Sequence, residues 1–578
     1  MIEKSFPAPF RTQMGYDIFL QKYAHEGCET WEKLAHTLVE DVCKGKIAPG
    51  RRAKLEKAIA EMKFIPGGRY LYYAGRPNKF FNNCYLLKSE EDSREDWAQT
   101  SWKAEMCLMT GGGIGNDYSI YRPSGSIISR TGGTASGPIP KMCMTNEIGR
   151  NVMQGGSRRS AIYASLNWRH GDVNQFLHCK DWYNMPVSGA YGDDGKNLTI
   201  GQLKEKDFNY PAPMDMTNIS LNYDNHFLET VYDLPIHEIE KELRQGESLP
   251  FKFIPATFYE NVRQAVKTGE PGFSFNFFDK ENETLRNACT EVTSEDDSDV
   301  CNLGSLNMSR IETLEEFEEI AELATEFLIC GSLKAKLPYE KVGVTREKNR
   351  RIGVGLMGVH EWLLTRGERY EVNEELHQWL DAYRYYTRKT ADEYAEKLGI
   401  SIPVAVGAIA PTGTIGMIAG TSTGIEPLFS TAYKRRFLKG GSSWHYQYVI
   451  DGTAKTLIDS GIDPNSIESA LDLANDVERR IAFQADVQDY VDMSISSTIN
   501  IPPWGTELNN ENRINKFAKT LLSYAHRLRG FTCYPDGSRG GQPITTVPYE
   551  EALSHQGKEF KEEFHDICDI SGGGTCGV

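Results

Sequence analysis

Apolar residues recur at spacings of three and four along "TWEKLAHTLVEDVCKG" and "RRAKLEKAIAEMKF", so residues 1–80 are predicted to form an N-terminal helical region. From about residue 80 to 310 the pattern changes. Short apolar runs ("NNCYLL", "NDYSIY", "SAIYASLNW", "TNISLNY", "GFSFNFF") are separated by glycine-rich turns and helical stretches, and read as strands. Helical spacing dominates "LEEFEEIAELATEFLICGSL" and "NEELHQWLDAYRYYTRKTADEYAEKLG". The strand pattern resumes at "VAVGAIAPTGTIGM", "SISSTINIP" and "HRLRGFTCYPDGS". Strands alternating with helices predict an α/β fold whose sheet is largely parallel, with crossover helices. Residues 549–578 are polar, end in "DISGGGTCGV", and are expected to form a flexible tail.

Composition narrows the function. The chain has 578 residues and a net charge of −16. That acidic balance argues against nucleic acid or an anionic membrane as the main partner, because both call for clustered positive charge. No apolar run is long enough to span a bilayer, and the first residues lack the pattern of a secretory signal. A cytoplasmic location is therefore expected; the compact length suits a bacterial protein or a viral one acting in the host cytoplasm. Twelve cysteines in a chain of this length are not a disulfide scaffold.

Two of those cysteines stand in "LRNACTEVTSEDDSDVCNLGS", residues 285–305. In an extended segment residues i and i+2 face the same way, so Asn287, Cys289 and Glu291 should project together. Glu291 can exchange a proton with a substrate hydroxyl, and Asn287 can hold one. Cys289 could be a nucleophile, a metal ligand or a carrier of hydrogen atoms. A neighbouring carboxylate disfavours thiolate, which suits the last role best. The run "SEDDSD" reads as a solvated turn. Near the end, Cys568 and Cys576 make a dithiol on a glycine-rich tether, which could reach into a site, take part in thiol–disulfide exchange and return to solvent. Their spacing fits structural zinc poorly, and no metal site is assigned. "GGGIGN" lacks dinucleotide-binding spacing and reads as a place where backbones pack closely. Pro411, Thr412, Gly413, Thr414 and Ile415 of "PTGTIG" form a small-residue turn that could open a helix toward a phosphate.

Taken in order, these segments resemble the catalytic chain of ribonucleotide reductases. "FNNCYLL" resembles the strand with the first redox cysteine, "YRPSGSIISRTGGTASGP" and "QGGSRRSA" the effector region, and "MTNISL" a barrel strand. "NACTE" resembles the Asn-x-Cys-x-Glu finger loop, "VCNLGSLNMS" the strand with the second redox cysteine, and "NRRIGVGLMG" and "APTGTIGMIAGTSTGIEPLF" later barrel elements. Together they span about residues 80–545.

The resemblance implies a ten-stranded α/β barrel over residues 81–548, made of two antiparallel halves of five parallel strands around a central finger loop. It implies radical reduction of ribonucleoside di- or triphosphates to 2′-deoxyribonucleotides. Cys289 would become a thiyl radical and take the 3′-hydrogen. Glu291 would exchange a proton with the 3′-hydroxyl, and Asn287 would hold the sugar. Cys84 and Cys301 would supply electrons and form a disulfide, which Cys568 and Cys576 would reduce again. Residues 411–415 would bind substrate phosphate, with Mg2+ accompanying the nucleotide. A deoxynucleoside triphosphate effector would sit near Arg122, Ser126, Arg130, Gly132 and Gly133, with residues about 180–214 as a second loop. With 83 residues before Cys84, no ATP cone is expected. Expected partners are a thioredoxin- or glutaredoxin-type reductant and a second copy in a homodimer.

The radical source has two readings. Adenosylcobalamin bound by this chain is one. The other is a small metal-containing radical-generating subunit, with no such cofactor in this chain and electron transfer through paired tyrosines. In "RGFTCYPDGSRGGQPI", Tyr534 lies between Cys533 and Pro535, so the pair is missing and the stretch is similar to the cobalamin-dependent form. An inactive nucleotide-binding regulator and a cysteine-nucleophile hydrolase are the contrasting readings. The complete set of Asn287, Cys289, Glu291, Cys84 and Cys301 argues against the regulator. The hydrolase would work without a radical source and have no need of Cys84.

Overall fold

The computed structural model describes residues 6–129, 132–152, 160–192, 194–207, 210–439, 443–536, 544–556 and 558–561. Residues 6–80 form the expected helices, among them Gln13–Lys22, Trp31–Cys43 and Pro49–Ala60. Thr12 and Thr30 cap the first two through their side chains, and Pro49 opens the third. The region also contributes a strand, β1 (Phe64–Pro66).

Nine further strands complete the main sheet. They are β2 (Cys84–Lys88), β3 (Gly113–Asp117), β4 (Ile162–Asn167), β5 (Thr217–Tyr223), β6 (Gly272–Phe275), β7 (Asp299–Asn307), β8 (Ile352–Met357), β9 (Thr498–Ile501) and β10 (Gly530–Pro535). β2 to β6 are consecutive parallel neighbours. β7 runs parallel to β8, and β9 to β10. Two antiparallel seams join these groups, β7 against β2 and β10 against β6. Isolated parallel bridges join Val354 to Gly407 and Ile409 to Ile495.

Several expected boundaries move. In "NDYSIY" the strand begins earlier, at Gly113, and Tyr118 to Tyr121 have left the sheet. "VAVGAIAPTGTIGM" contributes only bridge residues before helix Gly413–Ala419. The expected tail does not begin at residue 549. Tyr549–His555 is helical, and Glu559–Lys561 pairs with strand Ser443–Ile450 in a separate four-stranded sheet.

Helices Leu314–Lys334 and Glu374–Leu398 pack together with the N-terminal helices in one apolar core, which includes Trp31, Leu38, Phe317, Phe327, Trp362 and Trp379. A second core, including Leu166, Tyr223, Phe227, Phe258, Ile499 and Leu521, covers helices of the other half. Between them Cys84, Leu86, Leu285, Val292, Cys301, Leu303, Ala405, Ala408 and Met493 form a small cluster around the 285–294 segment.

Candidate active site

Residues 285–294 form a narrow hairpin. Leu285–Arg286 pairs with Thr293–Ser294, and residues 287–292 make the tip. The tip is tightly cross-braced. Asn287 accepts the Val292 N–H through Oδ1 at 3.0 Å, and its carbonyl accepts the Thr290 N–H at 3.0 Å. Thr290 takes the left-handed conformation at φ 70°, which turns the chain back at the tip. The Ser494 N–H holds the Glu291 carbonyl at 2.9 Å, and the Asn218 side chain holds the Ala288 carbonyl at 3.0 Å.

Room for this hairpin comes from missing side chains. A Cβ on Gly115 would stand 1.8 Å from the Arg286 carbonyl oxygen, and one on Gly113 would meet the Ala288 Cβ at 3.2 Å. "GGGIGN" therefore serves close backbone packing, as its composition suggested.

The predicted residues converge at the tip. Cys301 is the register partner of Cys84 across the β7–β2 seam. Antiparallel partners lie about 4.5–5.5 Å apart at Cα, inside the span a disulfide can bridge. Asn287 donates to the Cys84 sulfur at 3.0 Å, and the Cys84 thiol points to Glu291 Oε1 at 3.9 Å. Cys84, Cys301, Asn287 and Glu291 are buried, whereas Cys289 is half-buried. Burial pushes the Glu291 carboxyl up to about 7, against the opposing pull of hydrogen bonds from Asn287 and Cys84. Burial, with Glu291 and Cys301 nearby, pushes the Cys84 thiol well up, and burial does the same to Cys301. Neutral thiols beside a carboxyl that titrates near neutrality can give and take hydrogen atoms and protons. They are poorly suited to nucleophilic attack.

The acidic run behind the tip is not a solvated turn. Asp297 is buried between Lys103 and Lys341, each 2.8 Å away, and accepts the Lys88 N–H at 2.8 Å. Asp299 pairs with Arg351 at 2.9 Å and accepts from Ser294 and Asn349. Apart from Ser294, these partners lie more than forty residues away on other elements, so nothing local in the run announces them.

The hairpin base carries the groups that sequence reading missed. Arg286 is fully buried; its guanidinium donates to the carbonyls of Glu283, Leu285, Phe275 and Arg529 and to Asn276 Oδ1 at 2.7 Å. Burial, with the Arg529 charge adding to it, pushes Arg286 down to about 9. Arg529 pairs with Glu283 at 2.9 Å, and Glu283 accepts from Thr293 at 2.6 Å. The arginine directly before "NACTE" was the one visible signal.

Elsewhere the expected residues are in separate places. Pro411 and Gly413 are exposed, and Thr412 is left-handed at φ 49° with Oγ1 accepting the Gly424 N–H at 2.8 Å. Helix Gly413–Ala419 follows without a side-chain cap, so the N–H groups of Gly413, Thr414 and Ile415 precede its internal ladder. Ser126, Gly132 and Gly133 lie in a two-stranded turn, Ile127–Ile128 against Gly133–Thr134, and Arg122 pairs with Asp92. Pro186–Tyr191 pairs antiparallel with Asn197–Thr199. Tyr534 lies in β10 opposite Asn500. Arg130, Cys568 and Cys576 fall outside the described residues, as does most of "QGGSRRSA". Among the described residues no cluster of three or more His, Cys, Asp or Glu could hold a metal ion, and no helix is long and apolar enough to cross a membrane.

The sequence profile described as ribonucleotide reductase, barrel domain, matches residues 82–405 and 391–534. The chain belongs to the ribonucleotide reductase barrel family. It is 25% identical over 550 residues to a vitamin B12-dependent ribonucleoside-diphosphate reductase of Mycobacterium tuberculosis, covering 87% of this chain and 74% of that protein. The corresponding enzyme of Thermoplasma acidophilum is 25% identical, with 85% and 66% covered. A putative adenosylcobalamin-dependent ribonucleoside-triphosphate reductase of Mycobacterium phage D29 is 26% identical, with 91% and 92% covered. Membership in the ribonucleotide reductase family supports oxidoreductase chemistry of that general type, and the ten-stranded mixed sheet is consistent with its barrel.

Proposed function

We propose that this chain reduces ribonucleotides to 2′-deoxyribonucleotides by a thiyl-radical mechanism. The observation that carries this reading is the convergence of Cys84, Cys301, Asn287 and Glu291 on the half-buried Cys289 at the tip of a hairpin. The ten strands are proposed to close into a barrel around that hairpin. Support comes from the two antiparallel seams, together with the bridges at Gly407 and Ile409, which continue from β8 toward β9.

In this reading Cys289, as a thiyl radical, takes the 3′-hydrogen of the bound ribonucleotide while Glu291 accepts the 3′-hydroxyl proton. The 2′-hydroxyl leaves as water with a proton from the Cys84–Cys301 pair. Two electrons and the remaining proton of that pair then reduce C2′, forming its new C–H bond and leaving a disulfide, and Glu291 returns its proton to the 3′-oxygen. Cys289 then returns its hydrogen atom to C3′. Cys568 and Cys576 reduce the disulfide by exchange, and a thioredoxin- or glutaredoxin-type protein reduces them. Substrate phosphate, with Mg2+, is held at residues 411–415, and a deoxynucleoside triphosphate at the turn containing Ser126, Gly132 and Gly133 selects the base. The expected assembly is a homodimer.

Adenosylcobalamin is the proposed radical source; when bound, it supplies an organic radical by cleavage of its cobalt–carbon bond. Two features fit it. Cys289 is half-exposed beside the exposed Asn218, so a large group can reach its thiol, and Tyr534 has no tyrosine neighbour in sequence to serve a relay from another subunit. Cys289 is the residue that would face it, with Asn218 beside the tip.

The test is reduction of CDP, UDP, ADP, GDP and the corresponding triphosphates with adenosylcobalamin and dithiothreitol. Deoxynucleotide formation is expected with the wild-type chain, and less than one turnover per site with Cys84→Ser. Product only after addition of a metal-loaded second protein would overturn the cofactor. Sustained turnover by Cys84→Ser would overturn the redox pair.

A further inference from the structure

β5 is an internal strand, hydrogen-bonded to β4 on one side and β6 on the other. Its side chains are buried on both faces except at Asn218. Along the same face Asn222 is buried and donates to Ser165 at 3.0 Å, so the opening lies at the level of Asn218. An exposed carboxamide there faces the hairpin tip. Its Nδ2 donates to the carbonyl of Ala288, the residue before Cys289, at 3.0 Å. A primary amide carries a second N–H and an oxygen with two acceptor positions. Neither group bonds any other described residue.

We propose that Asn218 is a substrate-contacting residue: Nδ2 holds the Ala288 carbonyl while Oδ1 accepts a hydrogen bond from a ribose hydroxyl of the nucleotide bound beside Cys289. The inference rests on the reductase reading above. A neutral amide suits this place. It can donate to the loop and accept from the sugar at once, and it fixes the tip against the substrate without adding charge next to Glu291. An aspartate would set a carboxylate oxygen against the Ala288 carbonyl. An alanine would leave both contacts unmade.

The test compares binding of a ribonucleotide and its 2′,3′-dideoxy analogue by equilibrium dialysis, for the wild-type chain, Asn218→Ala and Asn218→Asp. Melting temperatures check that each is folded. Wild type should prefer the ribonucleotide, and Asn218→Ala should lose about tenfold of that preference, the size of one hydrogen bond. Asn218→Asp should lose at least as much. In the absence of nucleotide, Cys289 alkylation by iodoacetamide should be about threefold faster in Asn218→Ala, because the tip is released. An unchanged ribose preference in a folded Asn218→Ala overturns the proposal. Should neither variant fold, Asn287→Ala combined with Glu291→Gln decides: a ribose preference that persists without those two groups upholds the proposal, and equal binding of the ribonucleotide and its dideoxy analogue overturns it. A wild-type chain that binds no ribonucleotide overturns the reductase reading and this inference with it.

Discussion

Glu291 shows how much one residue's chemistry depends on its surroundings. Its ordinary carboxyl value is 4.5, and burial raises it to about 7. The native state holds this proton over a range where the unfolded chain has lost it, so stability falls as pH rises from about 4.5 through 7. The shift corresponds to about 3 kcal/mol. Glu291→Gln removes the ionisation. The unfolding free energy of wild type relative to Glu291→Gln should therefore drop by about 3 kcal/mol between pH 4.5 and 8 in denaturant titrations. On the proposed mechanism the same variant should lose turnover, since an amide cannot accept the substrate proton. Asn287, Cys289 and Glu291 could be picked out from the sequence as one short motif, although the segment is a turned tip with Thr290 left-handed and not the extended strand in which residues i and i+2 share a face. The raised carboxyl could not, because desolvation depends on the strands that enclose it.

The hairpin of residues 285–294 is the element on which the site depends, and a glycine sets its position. Gly115 leaves no room for a methyl group: the ideal Cβ would lie 1.8 Å from the Arg286 carbonyl oxygen, and backbone on both sides must move. Gly115→Ala should destabilise the chain by about 1–3 kcal/mol, the range for overpacking a filled interior. It should cost activity more than tenfold, because the tip carrying Cys289 shifts with Arg286. Thermal melts and turnover measured side by side check both. Most helices were legible because apolar spacing survives whatever they pack against. The strand ends were less legible. Gly407 and Ile409 make only bridges, and Tyr118 leaves the sheet, since pairing depends on partners distant in sequence.

At the scale of the molecule, charges from several elements lock the site in place. Burial opposes the charge of Asp297, yet Lys103 and Lys341 hold its carboxyl below the usual range. Burial likewise opposes Glu283, and Arg529 and Arg351 bring it down to about 2. Both contributions are present above the ordinary carboxylate range and fade as pH falls, so acid unfolding should set in below about pH 4.5 and deepen toward 2. Asp297→Asn should cost about 3–5 kcal/mol, because Lys103 is left buried beside an uncharged partner. Circular dichroism during acid titration would show the onset, and the variant should melt earlier at pH 7 than at pH 4 relative to wild type.

The sequence by itself determined the alternation of helices and strands, the order of the motifs and the identity of the thiols and the carboxylate. Those depend on residue type and near-neighbour spacing, which chain order preserves. Only the tertiary structure decided that Cys84 faces Cys301, that the acidic run is buried in ion pairs, that Arg286 anchors the hairpin and that Asn218 opens onto the tip. Each of these joins groups far apart along the chain, and their energies come from burial and geometry that no local pattern records.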